Sequence, residues 1–274
     1  MEERNLPKSL FHTVAFAVLA LVSVAISLPQ TSVAQTPADV VSRRHLTTSA
    51  SAAVTALYDG SLNTGTPDTQ GFLYLTSPQV GVQATQAFSS PVTTLDTTLQ
   101  MSDYAGYFAE PGLYPPLDRA GGYQVLFTVQ VITETHISRD RAGFSLLVMS
   151  SDKRGIELGF WAGEIWAQEG GASQPFTHAE GAAFTTTADL ISYRLSVLGD
   201  RYTLATDGST VLSGSLRDYT LAPPPPLPLN PYNTPNLIFL GDDTSSAQAR
   251  IKFRYAAVIN APPFSVSLPL ISKK

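Results

Sequence analysis

The chain has 274 residues, no cysteine and a formal net charge of −5, with 14% charged and 43% hydrophobic residues. The lack of cysteine excludes disulfides, thiolate nucleophiles and cysteine-bound zinc. An acidic chain without a run of basic residues has little electrostatic attraction for nucleic acid or anionic lipid, so neither is expected as a partner.

Arg4 and Lys8 precede an apolar run from Val14 to Leu28, and Ser32-Val33-Ala34 stand before Gln35. A basic start, an apolar stretch of about 15 residues and small residues at the cleavage point predict a signal peptide over 1–34. The run is short beside the roughly 20 residues that span a bilayer, and an uncleaved anchor is the alternative. Either way the rest of the chain is expected outside the cytoplasm, secreted or on the cell surface. Residues 35–53 are small and polar without a period and read as a flexible leader.

From 54 to 260 the pattern is that of one β domain. Phe72–Leu75 is a short apolar run, and Gly122–Ile132 is long and rich in β-branched and aromatic residues. A short helix fits within 96–108. Phe144–Met149 is a compact apolar strand. Ile156–Trp161 and Glu164–Gln168 flank Ala162-Gly163 as a hairpin. Tyr193–Leu198 alternates, turns at Gly199-Asp200 and continues as Arg201–Ala205. Asp207-Gly208 is a strong hairpin signal before Thr210–Leu212. Leu237–Leu240 and Ile251–Val258 complete the set. Many short strands at this spacing predict an all-β fold, an antiparallel β-sandwich of jelly-roll type. Residues 222–235 (APPPPLPLNPYNTP) read as a stiff loop between two strands. Residues 261–274 form an apolar C-terminal tail ending in two lysines.

Four segments carry a resemblance: Leu57–Leu75, Asp140–Gln168, Phe176–Phe184 and Asn236–Ala249. Together they resemble the choice-of-anchor Y domain, a bacterial exported domain within the concanavalin-A-like lectin/glucanase group of sandwiches. The resemblance runs over 54–258. It implies an exported, concanavalin-A-like sandwich attached to a variable C-terminal anchor. It carries no assigned activity. The usual Pro-Glu-Pro or Leu-Pro-x-Thr-Gly anchor motif is missing here.

The hairpin holds the sharpest functional hint. With Ala162-Gly163 as a two-residue turn, Phe160 faces Ile165, Gly159 faces Trp166 and Leu158 faces Ala167. Side chains alternate across a strand, so Leu158, Phe160, Ile165 and Ala167 share one face. Glu157, Trp161, Glu164, Trp166 and Gln168 share the other, which contains both tryptophans of the chain. The first set belongs in the core. In the second, Gly159 opposite Trp166 leaves an indole uncovered beside carboxylates and an amide, a surface on which a sugar ring packs and hydrogen-bonds. The alternative is that other segments cover this face and the tryptophans are packing residues.

Glucanases of this group carry Glu-x-Asp-x-Glu on one strand, and here the strand has Glu157 alone. Glu164 falls roughly 13 Å away at strand rise, beyond the roughly 5–9.5 Å of paired glycosidase carboxylates. Glu180 is a conceivable second acid. Asp242-Asp243 after Gly241 is a candidate calcium site, although calcium needs six to eight oxygens. In Arg139-Asp140-Arg141 the aspartate is expected to pair with either arginine. His136 and His178 show no metal-ligand spacing. The function expected is non-catalytic binding of a carbohydrate or cell-surface polymer, with a structural or adhesive domain second and a glycoside hydrolase third.

Overall fold

The computed structural model describes residues 53–171, 176–225 and 227–260. The segments read as signal peptide, leader and C-terminal tail lie outside the described residues, apart from Ala53. In chain order the strands are β1 (Ala53–Asp59), β2 (Phe72–Thr76), β3 (Thr85–Ser89), β4 (Val92–Asp96), β5 (Ala105–Ala109), β6 (Tyr123–His136), β7 (Ser145–Met149) and β8 (Arg154–Phe160). They continue as β9 (Glu164–Gln168), β10 (His178–Ala183), β11 (Ile191–Leu198), β12 (Arg201–Thr206), β13 (Ser209–Ser215), β14 (Arg217–Asp218), β15 (Leu237–Asp242) and β16 (Ala247–Asn260). Three 3-10 turns, at Gly60–Leu62, Pro67–Gln70 and Pro231–Asn233, are the helical elements among the described residues. The helix expected within 96–108 is absent. Turns at 97–104 lead into β5 instead, and all five residues of that strand are buried.

Two antiparallel sheets face each other. Sheet A runs β13-β12-β11-β6-β16-β4-β3, with β1 also pairing β16. Sheet B runs β10-β9-β8-β7-β15-β5-β2, with β14 also pairing β8. This is the antiparallel jelly-roll sandwich expected from the strand pattern. The core between the sheets takes alternate residues from each strand, such as Val125, Phe127 and Val129 from β6, and Leu158 and Phe160 from β8.

Turn chemistry fixes the local registers. Thr206 pairs Ser209 across Asp207-Gly208, and both turn residues have positive φ (48° and 79°). That is the backbone a two-residue primed turn requires and that Asp-Gly tolerates. Leu198 pairs Arg201 across Gly199-Asp200, where Gly199 takes the positive φ (58°).

A second apolar cluster lies outside the sandwich core, on the outward face of sheet B. Phe108, Leu147, Met149, Leu237 and Phe239 leave the sheet there and pack beneath Tyr219, Ala222 and Tyr232. The proline-rich stretch thus forms a strap across sheet B. Pro231–Asn233 is a single turn capped by the Asn230 side chain, which accepts from the Tyr232 amide. The strap's far end is pinned by Asn236, whose Oδ1 accepts from the Leu117 amide at 2.7 Å and whose carbonyl accepts from Tyr114 Oη at 2.7 Å.

Candidate functional site

The β8–β9 hairpin has the register read from its sequence. Leu158 pairs Ala167, Gly159 pairs Trp166 and Phe160 pairs Ile165. Leu158, Phe160, Ile165 and Ala167 all enter the sandwich core.

The opposite face is not an open platform. Glu157, Trp166 and Gln168 are buried, and Trp161 and Glu164 are half-buried. Three contacts explain the correction. The Trp166 indole lies across Gly159, where a β-carbon would come within 2.7 Å of its ring. The His178 imidazole stacks on the same indole at 4.4 Å and 16°. Beneath the strap, Tyr219 Oη accepts from the Glu157 amide (3.1 Å) and donates to the Gln168 carbonyl (2.7 Å). Glycine opposite Trp166 therefore makes room for the ring against its own sheet.

Glu157 sits in a buried charge cluster. The Tyr232 hydroxyl lies 2.9 Å from Glu157 Oε2 and 2.6 Å from Asp243 Oδ2. Arg141 pairs with Asp243 at 2.8 Å and stands 3.8 Å from Glu157. Its guanidinium carbon is 4.7 Å from the centre of the Phe176 ring. Burial, and then the neighbouring Asp243, push the Glu157 carboxyl up to about 8. The hydrogen bonding agrees. One tyrosine hydroxyl has one proton to give, so only one of the two carboxylates can receive it, and the other is best satisfied carrying its own. Trp161 joins this assembly through Nε1, which donates to the Arg141 carbonyl at 3.0 Å.

At the rim, Trp161 stacks on His136 at 4.2 Å and 8°. His136 Nδ1 is 2.7 Å from Glu134, and His178 Nε2 is 3.1 Å from Glu164. Glu164 therefore belongs with a histidine and not with Glu157. Glu180 is distant from both in its bonding: it accepts from Tyr202 Oη (2.7 Å) and pairs with Arg217. Asp140 pairs with neither flanking arginine and accepts from the His178 amide at 3.0 Å.

Asp242 and Asp243 engage separate partners. Asp242 accepts from Thr97 Oγ1 (2.7 Å) and the Thr244 amide (3.1 Å), and burial raises its carboxyl above the usual range. Asp243 is taken up by Arg141 and Tyr232. Among the described residues no group of three or more His, Asp or Glu gathers as a metal site. The expected calcium pair thus has its oxygens committed to protein donors.

The open surface is on the other sheet. The outward residues of β6, β11, β12 and β16 enclose a groove of about 450 Å³. Register builds it: Ser196 pairs Gln124, Arg194 pairs Leu126 and Ala205, Ser192 pairs Thr128, and Thr128 pairs Tyr255. Short side chains on β6 and β11 form the floor, with the Thr128 and Ser192 hydroxyls 3.0 Å apart. Tyr255 stands on one side, and the Asp207-Gly208 turn on the other. The side chains of Gln124, Arg194, Ser196, Asp207 and Tyr255 have no hydrogen-bond, ion-pair or ring partner among the described residues. Sequence reasoning passed over this groove. The alternation of β11 marks Ser192, Arg194 and Ser196 as outward, but only strand register aligns them with Gln124 and Tyr255.

No family model and no curated protein matches the chain. Solved structures do. A carbohydrate esterase, vb_24B_21 from the Shiga toxin-encoding bacteriophage phi24B, aligns with a TM-score of 0.51 at 13% identity, covering 76% of this chain and 99% of its own. A Bacillus subtilis protein of unknown function with a galectin-like fold aligns at 0.46 and 11%, covering 77% and 98%. The calcium-bound exoplasmic/lumenal domain of VIP36 aligns at 0.45 and 11%, covering 75% and 90%. Likenesses at such identities speak to architecture alone, and the chain is an antiparallel jelly-roll β-sandwich.

Proposed function

We propose that this domain binds carbohydrate outside the cell, without catalysis, in the groove on the outward face of sheet A. The observation that carries the reading is the groove's set of unpaired polar side chains around the ring of Tyr255. Cavities of about 300–1,000 Å³ with an apolar surface and a few convergent polar groups are where small-molecule recognition concentrates. A sugar offers the complement, with a C–H face for the tyrosine and hydroxyls for Gln124, Ser196 and Arg194. The carbohydrate esterase that shares the fold is in keeping with this reading, as is the resemblance to exported choice-of-anchor Y domains. The signal-like segment supports placement outside the cytoplasm.

The tryptophan face has a different role in this reading. The packing of its tryptophans against His136 and His178 favours a structural function for the hairpin. A glycan array and a panel of insoluble polysaccharides, run with and without calcium, test the proposal on the purified protein. Wild type should be retained by at least one glycan, and Gln124→Ala/Tyr255→Ala should lose it while unfolding at the wild-type temperature. Retention of the double variant equal to wild type would sink the assignment to this groove. Failure of every glycan would leave the structural or adhesive role as the better account.

A further inference from the structure

The chain is acidic overall, at −5, yet one sheet face is not. On sheet A the residues that leave the core include Arg194 on β11, Arg201 on β12 and Lys252 on β16. Exposed Arg254 joins them at the bulge between Phe253 and Tyr255. None of these four cations has an ion-pair or hydrogen-bond partner among the described residues. Arg250, also on this face, pairs with Asp96 at 2.6 Å. Of the acids at the margins, Asp200 pairs with Arg119 and Asp96 holds Arg250, while Asp59, across from Tyr255, accepts from Ser61 and has no cation partner among the described residues. Asp207 at the groove's end and exposed Asp189, just before β11, also have no ion-pair partner among the described residues, so the four cations outnumber these three acids by one. Scattered over sixty residues of sequence, these cations form no run, and the expectation of a chain without a basic cluster is corrected by strand register alone.

From this basic face we infer that the glycan is an acidic polysaccharide. The inference rests on the carbohydrate reading and narrows it. Arg194 and the β16 cations lie two strands apart, about 10 Å. Lys252 pairs Gln130, four residues along β6 from the Leu126 that pairs Arg194, or roughly 13 Å of strand. The cations thus flank the groove along an oblique track with Tyr255 between them, and this track matches an extended polymer with repeating negative groups better than a single ring. Arginine's planar fork suits carboxylates and sulfates. Charge complementarity of this kind favours the acidic partner over its neutral counterpart and fades as salt screens it.

The test compares the purified protein's affinity for a soluble polyuronate, a sulfated polysaccharide and a neutral polysaccharide at rising ionic strength. Anionic vesicles and duplex DNA are included as competing anions. The expected result is tighter binding of the acidic polysaccharides, a steep loss with salt, and weakening by about tenfold or more in Arg194→Ala/Lys252→Ala, as for the loss of two charged contacts. Both substitutions are at the surface, and a thermal melt confirms the fold. A neutral polysaccharide bound as tightly, with the double variant unchanged, overturns the inference and leaves carbohydrate binding standing. Preference for vesicles or DNA over every polysaccharide also overturns it. Binding to no polysaccharide at all removes the inference and the underlying reading together.

Discussion

The outward faces of the two sheets begin from the same alternation of side chains and end in opposite states. On sheet B the face is sealed. The strap over 219–236 closes on Phe108, Leu147, Met149 and Phe239, and the polar groups caught beneath it are bonded to one another. On sheet A the face is open, and Gln124, Arg194, Ser196, Asp207 and Tyr255 have no side-chain partner among the described residues. Alternation tells which residues leave the core. Whether they then reach water depends on what the connecting segments do.

The largest test of this contrast is to remove the strap's anchor. Tyr232→Ala takes away a buried ring and the hydroxyl shared by Glu157 and Asp243. It should cost about 3–5 kcal/mol in denaturant unfolding, and a loss under about 1 kcal/mol would mean that the strap does not seal the face. Next comes pH. Glu157 is raised from 4.5 to about 8 on folding, so the unfolded chain gives up this proton first as pH rises. Its stabilising contribution is full below about pH 4.5 and is lost as pH climbs through about 8, on the order of a few kcal/mol across the window. Wild type should therefore lose stability from pH 5 to pH 8, and Glu157→Gln should flatten that slope in part, since Asp242 is raised in the same direction. Identical slopes for the two proteins would show that Glu157 does not carry the proton.

A smaller effect is expected at Gly159, where a methyl group would drive into the Trp166 ring. Gly159→Ala should cost about 1–3 kcal/mol by chemical unfolding and red-shift the tryptophan emission as the indole is displaced. The open face should show the least. Arg194→Ala ought to stay within about 0.5 kcal/mol of wild type, and a larger loss would mean that the guanidinium has a structural partner.

Much of this architecture is legible before any coordinates. The hairpin register follows from a two-residue turn and strict alternation, and Leu158, Phe160, Ile165 and Ala167 point inward as read. The sealing of its other face comes from His136 and His178 over the tryptophans and from Tyr219 and Tyr232 over Glu157 and Gln168, none of which the hairpin's own sequence names. One local signal did exist. β7 and β15 are apolar without alternation, and every residue in them is buried, which is the pattern of strands covered on both faces. β11 alternates buried and exposed residues, the pattern of a strand with one face in water. The basic track was hidden for another reason: β11, β12 and β16 are remote in sequence and meet only through β6.

The order in which the strands lie has a consequence for how the chain comes together as it is made. β15 fits between β7 and β5, and β16 fits between β6 on one side and β4 with β1 on the other. The last two strands among the described residues are thus central members, one in each sheet. Until β15 is made sheet B is split between β7 and β5, and until β16 is made sheet A is split between β6 and β4. Synthesis runs from the N-terminus, so this domain gains its stability late and nearly at once, and a nascent chain halted before β16 stays open.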